Sequence, residues 1–284
     1  MRWKGRRGSV NIEDRRGRGG SGVRIGGAGG LGVLAIVAIG YFLGVDLTPL
    51  LDETVSTAPT GETRELSAAE QEAGQFVSVV LADTEEVWAD LFRTQLNAEY
   101  DPATLVLFSA VTQSPCGGAS GATGPFYCPA DEKAYLDTTF FATMEQRLGA
   151  GGDFAAAYVV AHEIAHHVQD ELGVLSQANA LRAQVSEAES NAISVRIELM
   201  ADCLAGVWAM HADSRFDIMQ NGDLDEALNA ARQIGDDTLQ RNAGRVPQPH
   251  TFTHGTSEQR RRWFQTGFDS GQIGSCDTFA ADTL

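Results

Sequence analysis

Asp153 to Asp170 reads DFAAAYVVAHEIAHHVQD, an apolar run interrupted by His162, Glu163, His166 and His167. The spacing predicts a helix. Residues four apart on a helix share one face, about 6 Å apart at Cβ, so His162 and His166 can direct two imidazoles at one ion. Glu163 lies one step round from His162, where its carboxylate reaches a water beside the metal rather than the metal itself. The surroundings make a chance H-E-x-x-H a poor explanation. Val159, Val160, Ile164, Ala165 and Val168 enclose the motif, and four polar side chains in such a setting are costly unless they bind something. His167 points elsewhere on the helix and is given no role.

A hydrolytic zinc site needs a third protein ligand and an open position for water. The predicted helix from Glu187 to His211 contains RIELMADCLAGVWAM, where Glu198 and Asp202 are again four apart. A solvated acidic face suits Glu187 and Glu189. It does not suit Glu198 and Asp202, which Ile197, Leu199, Met200 and Leu204 enclose. Glu198 is therefore the expected third ligand, with Glu189 as fallback. Asp202 is expected to accept a hydrogen bond from a ligand histidine and fix its tautomer.

Outward from this centre, the chain of 284 residues has the hydrophobic fraction (43%) and charged fraction (21%) of a folded protein. Its formal net charge of −17 conceals a basic beginning: residues 1–24 carry eight basic side chains against Glu13 and Asp14. The remainder is too acidic for nucleic acid to be a partner. Residues 25–45, IGGAGGLGVLAIVAIGYFLGV, are uncharged and as a helix would span a bilayer core. A cleaved signal peptide is the competing reading, but no A-x-A-like site closes the run. The positive-inside rule then places a basic head, 1–24, in the cytoplasm and everything beyond Asp46 outside, as a single-pass membrane protein. Residues 46–66 read as a linker, and the body, 67–284, opens at a Ser67/Glu70 capping box. Phe76, Val77, Val80, Val87, Trp88, Leu91 and Phe92 recur at helical spacing and read as core. Thr104 to Val111 and Lys133 to Asp137 read as strands. Cys116 and Cys128 flank a Gly-rich loop, and a disulfide is the natural reading in an oxidising compartment. Whether Cys203 and Cys276 pair is left open, as is the oligomeric state.

Taken together, HEIAHHVQ, ELMADCLAGVW, the upstream SPCGGASGATGPFYCPADEKAYLD and the downstream FTHGTSEQRRRWFQTGF resemble the bacterial family described as putative neutral zinc metallopeptidases. The resemblance covers nearly the whole chain, the basic head, membrane segment and CDTF at Cys276 to Phe279 included. In the wider likeness to thermolysin-type enzymes, H-E-x-x-H is followed by E-x-x-x-D, matched by Glu198 and Asp202. The connection from His166 to Glu198 is longer here.

The resemblance implies an α+β, zincin-like domain, mainly helical with a small sheet, after one N-terminal transmembrane helix. It also implies a Zn2+ cofactor, a peptide or protein substrate and a metal-activated water with Glu163 as general base. The strand at Lys133 to Asp137 is the expected edge that aligns an extended peptide. FTHGTSEQRRRW looks like the T-H-P…R stretch of integral-membrane CAAX-type zinc proteases, with Gly255 in place of proline. His254 is accordingly a candidate donor to the transition-state oxyanion, with Arg260 nearby; the competing reading pairs Arg260 with Glu258 or Asp269. Two other functions fit the residues less directly: a non-catalytic membrane-anchored scaffold on a peptidase fold, and a zinc amidase acting on cell-wall peptides.

Overall fold

A computed structural model describes residues 1–17, 64–120 and 124–284. The architecture is mixed and mostly helical with small sheets. The membrane span expected at 25–45 lies outside the described residues, and among those no helix is long and apolar enough to cross a membrane.

The first helix, α1 (Ala68–Leu91), starts where Ser67 and Glu70 cap each other's backbone N–H groups. Its inward stripe, Phe76, Val77, Val80, Val87, Trp88 and Leu91, is buried. A four-stranded sheet has the order β1 (Ile12–Asp14), β2 (Thr104–Phe108), β6 (Lys133–Asp137), β5 (Phe126–Cys128). The first three run parallel and β5 is antiparallel to β6. A separate hairpin pairs β3 (Val111–Ser114) with β4 (Gly117–Ser120).

Two expectations are corrected by this sheet. The strand expected at 104–111 ends at Phe108. Ala110 turns left-handed (φ 64°) and its N–H donates to Asp137 Oδ2 at 2.8 Å, which breaks the run before β3. Lys133–Asp137 is no edge: it lies between β2 and β5, and β5 is the outer strand. Residues 1–17, the described part of the stretch 1–24 read as a basic head, pack on the rest of the described chain. Their β1 pairs with β2, Trp3 packs edge-on against Phe76 at 5.4 Å, and Arg6 grips Asp83 bidentately at 2.5 and 2.6 Å.

After β6 the chain is helical: α2 (Thr139–Leu148), α3 (Asp153–Glu171), α4 (Val174–Arg182), α5 (Glu187–Phe216), α6 (Asp223–Gln233), α7 (Asp236–Asn242) and α8 (Ser257–Ser270). Helix α3 is the apolar H-E-x-x-H helix, with Phe154, Ala155, Tyr158, Ala161, Ile164, Ala165 and Val168 fully buried. Helices α5 and α8 approach backbone to backbone through paired glycines. A Cβ on Gly206 would stand 2.0 Å from the Phe264 carbonyl oxygen, and one on Gly267 would stand 1.8 Å from that of Cys203. This crossing brings α8 under the segment of α5 that carries Glu198 and Asp202. The chain's last turn is tied there by a disulfide between Cys203 and Cys276, and a second joins Cys116 to Cys128.

Candidate metal centre

Helices α3 and α5 bring His162, His166 and Glu198 together, with one donor atom from each lying within 4.8 Å of the others. His162 Nε2 is 3.2 Å from Glu198 Oε2, and His166 Nε2 is 3.6 Å from Glu198 Oε1. Each ring turns its other nitrogen to an oxygen acceptor. His162 Nδ1 lies 3.0 Å from Asp202 Oδ1, although off the line of a well-aligned bond, and His166 Nδ1 lies 2.9 Å from Gln169 Oε1. Gln169 Nε2 donates to the Ile197 carbonyl at 2.6 Å, so its Oε1 is the acceptor and His166 keeps an Nε2 lone pair for the centre. Two imidazoles and a carboxylate so arranged fit zinc, with oxygen partners behind the rings as metal-binding histidines require. Glu189, the fallback ligand, is elsewhere: its carboxylate accepts from Ser186 and caps α5.

The electrostatics favour a cation. Burial works to raise the Glu198 carboxyl, but the charges of His166, His254 and His162 outweigh it and hold the group well below its ordinary value. Burial works to lower His162, yet Asp202 and Glu198 raise it to about 9. His166 is lowered, chiefly by burial. A metal entering here therefore has to displace the proton that two carboxylates hold on His162. Glu163 is raised to about 7, mainly by burial, which puts its proton exchange near neutrality.

Behind the ligands lies a network that the sequence did not reveal as a unit. Asp202, fully buried, accepts from Tyr158 Oη at 2.5 Å and from Arg260 Nη2 and Nε at 2.9 and 2.8 Å. Burial pushes the Asp202 carboxyl up, but Arg260 and His162 bring it below its ordinary value, so it stays charged behind His162. Arg260 thus pairs with Asp202, not with Glu258 or Asp269; Glu258 takes Arg261 instead. Removing one side of a buried pair strands the other charge, so Arg260→Met is expected to cost about 3–5 kcal/mol. Chemical denaturation of the full chain measures this, and a loss no larger than that of an exposed arginine variant such as Arg262→Met would contradict it.

His254 lies on the loop before α8. Asp236 Oδ2 accepts the backbone N–H groups of Thr253, His254 and Gly255 at 2.8, 2.7 and 2.9 Å, fixing that loop. Gly255 is left-handed (φ 90°) where it passes Val195 and Leu199 of α5. The His254 side chain is 48% exposed, with Nδ1 3.3 Å from Asp236 Oδ1. Desolvation works to lower its pKa, but Glu198 and Asp236 raise it above the ordinary value. Its charge reaches both Glu163 and Glu198.

His167 is buried on the far side of α3, between the Asp101 carbonyl (Nε2, 2.7 Å) and Tyr127 Oη (Nδ1, 3.0 Å). It ties α3 to β5, away from the ligands. Gln169, Tyr158 and Asp236 were missed from sequence. Only the helical spacing of Tyr158 to His162 and of His166 to Gln169 could have signalled the first two.

A family model for putative neutral zinc metallopeptidases matches residues 1–279. The chain is 47% identical over 288 residues to "Uncharacterized protein YpfJ" of Escherichia coli K12, covering 98% of this chain and 99% of that one. It is 43% identical over 188 residues to "Uncharacterized protein Mb2605" of Mycobacterium bovis, 63% of this chain and 62% of the relative. "Uncharacterized protein Rv2575" of Mycobacterium tuberculosis is similar to the same extent. No solved structure matches.

Proposed function

Since the chain belongs to the family of putative neutral zinc metallopeptidases, we propose that it is a zinc-dependent endopeptidase working outside the cytoplasm, with His162, His166 and Glu198 as ligands. The observation that carries this reading is the convergence of those three donors beside a half-buried carboxylate, Glu163, poised near neutrality. When bound, zinc polarises a carbonyl oxygen and acidifies water. Glu163 takes the proton from the attacking water and passes it to the leaving amine. Asp202 and Gln169 hold the two rings in position. The free edge of β5, rather than β6, is suited to pair with an extended peptide.

Two disulfides support an oxidising compartment, because such bonds rarely persist in the cytosol. A cell-wall amidase would share the metal chemistry, and a scaffold would have no use for Glu163. The deciding experiment measures zinc per chain and hydrolysis of a peptide library by the full-length protein. Turnover abolished by a chelator and restored by zinc supports the reading; a zinc-loaded protein that cleaves no peptide overturns it.

His254 completes the proposed centre as a donor to the oxyanion that develops on the attacked carbonyl. His254→Ala is expected to lower kcat by ~10²- to 10³-fold with little change in zinc content or melting temperature. A loss of stability without a selective fall in kcat would return His254 to a purely structural role.

A further inference from the structure

Asp202 Oδ1 faces more donors than one oxygen can serve. Tyr158 Oη donates to it at 2.5 Å and Arg260 Nη2 at 2.9 Å, while His162 Nδ1 stands 3.0 Å away. A carboxylate oxygen offers two lone-pair directions, and the tyrosine and the guanidinium take both. His162 Nδ1, buried with the rest of its ring, is left without an aligned hydrogen-bond partner among the described residues. Arg260 also holds Oδ2, through Nε at 2.8 Å. The plane of the carboxylate is thereby fixed, and the lone pair that Tyr158 occupies is the one His162 would need. The crowding begins in α3 itself. Tyr158 precedes His162 by one helical turn and shares its face, with the two rings 5.9 Å apart. The phenol packs edge-on against Phe264 at 5.4 Å and is fully buried, so its hydroxyl has to find a partner inside the protein. The partner it takes is the oxygen that stands behind His162.

We propose that Tyr158 is a positioning residue that holds zinc affinity below what the ligand set would otherwise give, by occupying the Asp202 oxygen that His162 Nδ1 needs. A histidine that gives Nε2 to a metal keeps its proton on Nδ1. A carboxylate that accepts this proton in line orients the ring and makes it a stronger ligand. In this centre the carboxylate is in place, fully buried and paired with Arg260, yet the bond it could give His162 goes to the phenol. Tyr158 thus loosens the hold of Asp202 on the first ligand without touching the ligand triangle itself. The inference rests on the assignment of His162 as a ligand and does not depend on peptide cleavage.

Tyr158→Phe in the full chain tests it. Phenylalanine keeps the ring and its packing on Phe264, and both Asp202 oxygens keep their bonds from Arg260, so no buried group is stranded. Zinc affinity, read by competition with a chromophoric chelator, is expected to tighten by about 10-fold, within the range set by the partners of metal-binding histidines. The same hydrogen bond also favours a proton on Nε2, so affinities are compared after extrapolation to the deprotonated ring from titrations at several pH values. A variant that binds zinc equally well or more weakly would overturn the proposal and leave Tyr158 as packing and support for Asp202. The change is also expected to vanish when Tyr158→Phe is made on top of Asp202→Ala, because the shared acceptor is gone. Tightening that survives there would assign the effect to repacking of α3 and overturn the proposal too. Should Asp202→Ala leave no folded protein, proton spectra of zinc-loaded chains with nitrogen-labelled histidine carry the same test. One Nδ1–H resonance is expected to move downfield in Tyr158→Phe, and an unchanged set of resonances would overturn the proposal. An unaltered protein that binds no zinc would overturn the ligand assignment, and this inference with it.

Discussion

Glu163→Gln is expected to keep zinc at the level of the unaltered protein and to lose peptide turnover by about 10²- to 10⁴-fold, the range of a general acid–base group. Glutamine preserves the shape and most of the packing of the side chain, so neither α3 nor the ligand triangle has reason to move. What it removes is a carboxylate whose pKa burial raises to about 7. Such a group accepts a proton from water and still releases it to an amine at neutral pH. An amide can do neither. Metal analysis and initial rates on the same preparation check the prediction together, and a variant that cleaves at the unaltered rate would remove Glu163 from the mechanism.

His162→Ala and His166→Ala are expected to empty the centre of zinc, because each deletes one of the three donors that stand within 4.8 Å of one another. The two losses should differ in their side effects. His162 lies between half-buried Glu198 and buried Asp202, and its absence leaves these two carboxylates closer to being unbalanced, with Arg260 the remaining cation in direct contact with Asp202. His166 touches Gln169 and Glu198 only from the other side. His162→Ala should therefore also lower the melting temperature of the metal-free protein more than His166→Ala does. Equilibrium dialysis against zinc and calorimetry of the chelated proteins measure both quantities; full zinc loading of the double variant would refute the ligand assignment.

The centre was legible because its chemistry is local. Two histidines at helical spacing, and a carboxylate pair enclosed by Ile197, Leu199, Met200 and Leu204, announce themselves within single helices. The helix start at Ser67 was readable for the same reason, since a capping box lies within four residues. What the sequence hid is pairing between distant segments. The arginines of residues 1–17 read as a membrane flank, yet Arg6, Arg15 and Arg16 each meet a carboxylate, on Asp83, Glu13 and Asp14. Three residues, Ile12 to Asp14, are too few to show a strand period, so β1 was invisible until its partner was known. KAYLD was recognisable as a strand but not as an interior one, because strand order is set by tertiary contact. Arg260 and Asp202 could each be singled out, while their pairing across 58 positions could not.

The C-terminal segment also governs when the centre can exist during synthesis. Cys276 bonds Cys203, Thr278 Oγ1 donates to the Arg196 carbonyl at 2.7 Å, and Arg196 Nη1 returns a bond to the Thr278 carbonyl. These ties flank Glu198 on its own helix, and Arg260 reaches Asp202 from the preceding stretch. Because a chain emerges from its N-terminus onward, His162, Glu163 and His166 are made well before the residues that hold their third ligand in place. In a nascent chain the candidate ligands therefore emerge before the segment around Cys276 and Thr278 that fastens the helix of Glu198, and the last of these ties to become covalent does so by oxidation.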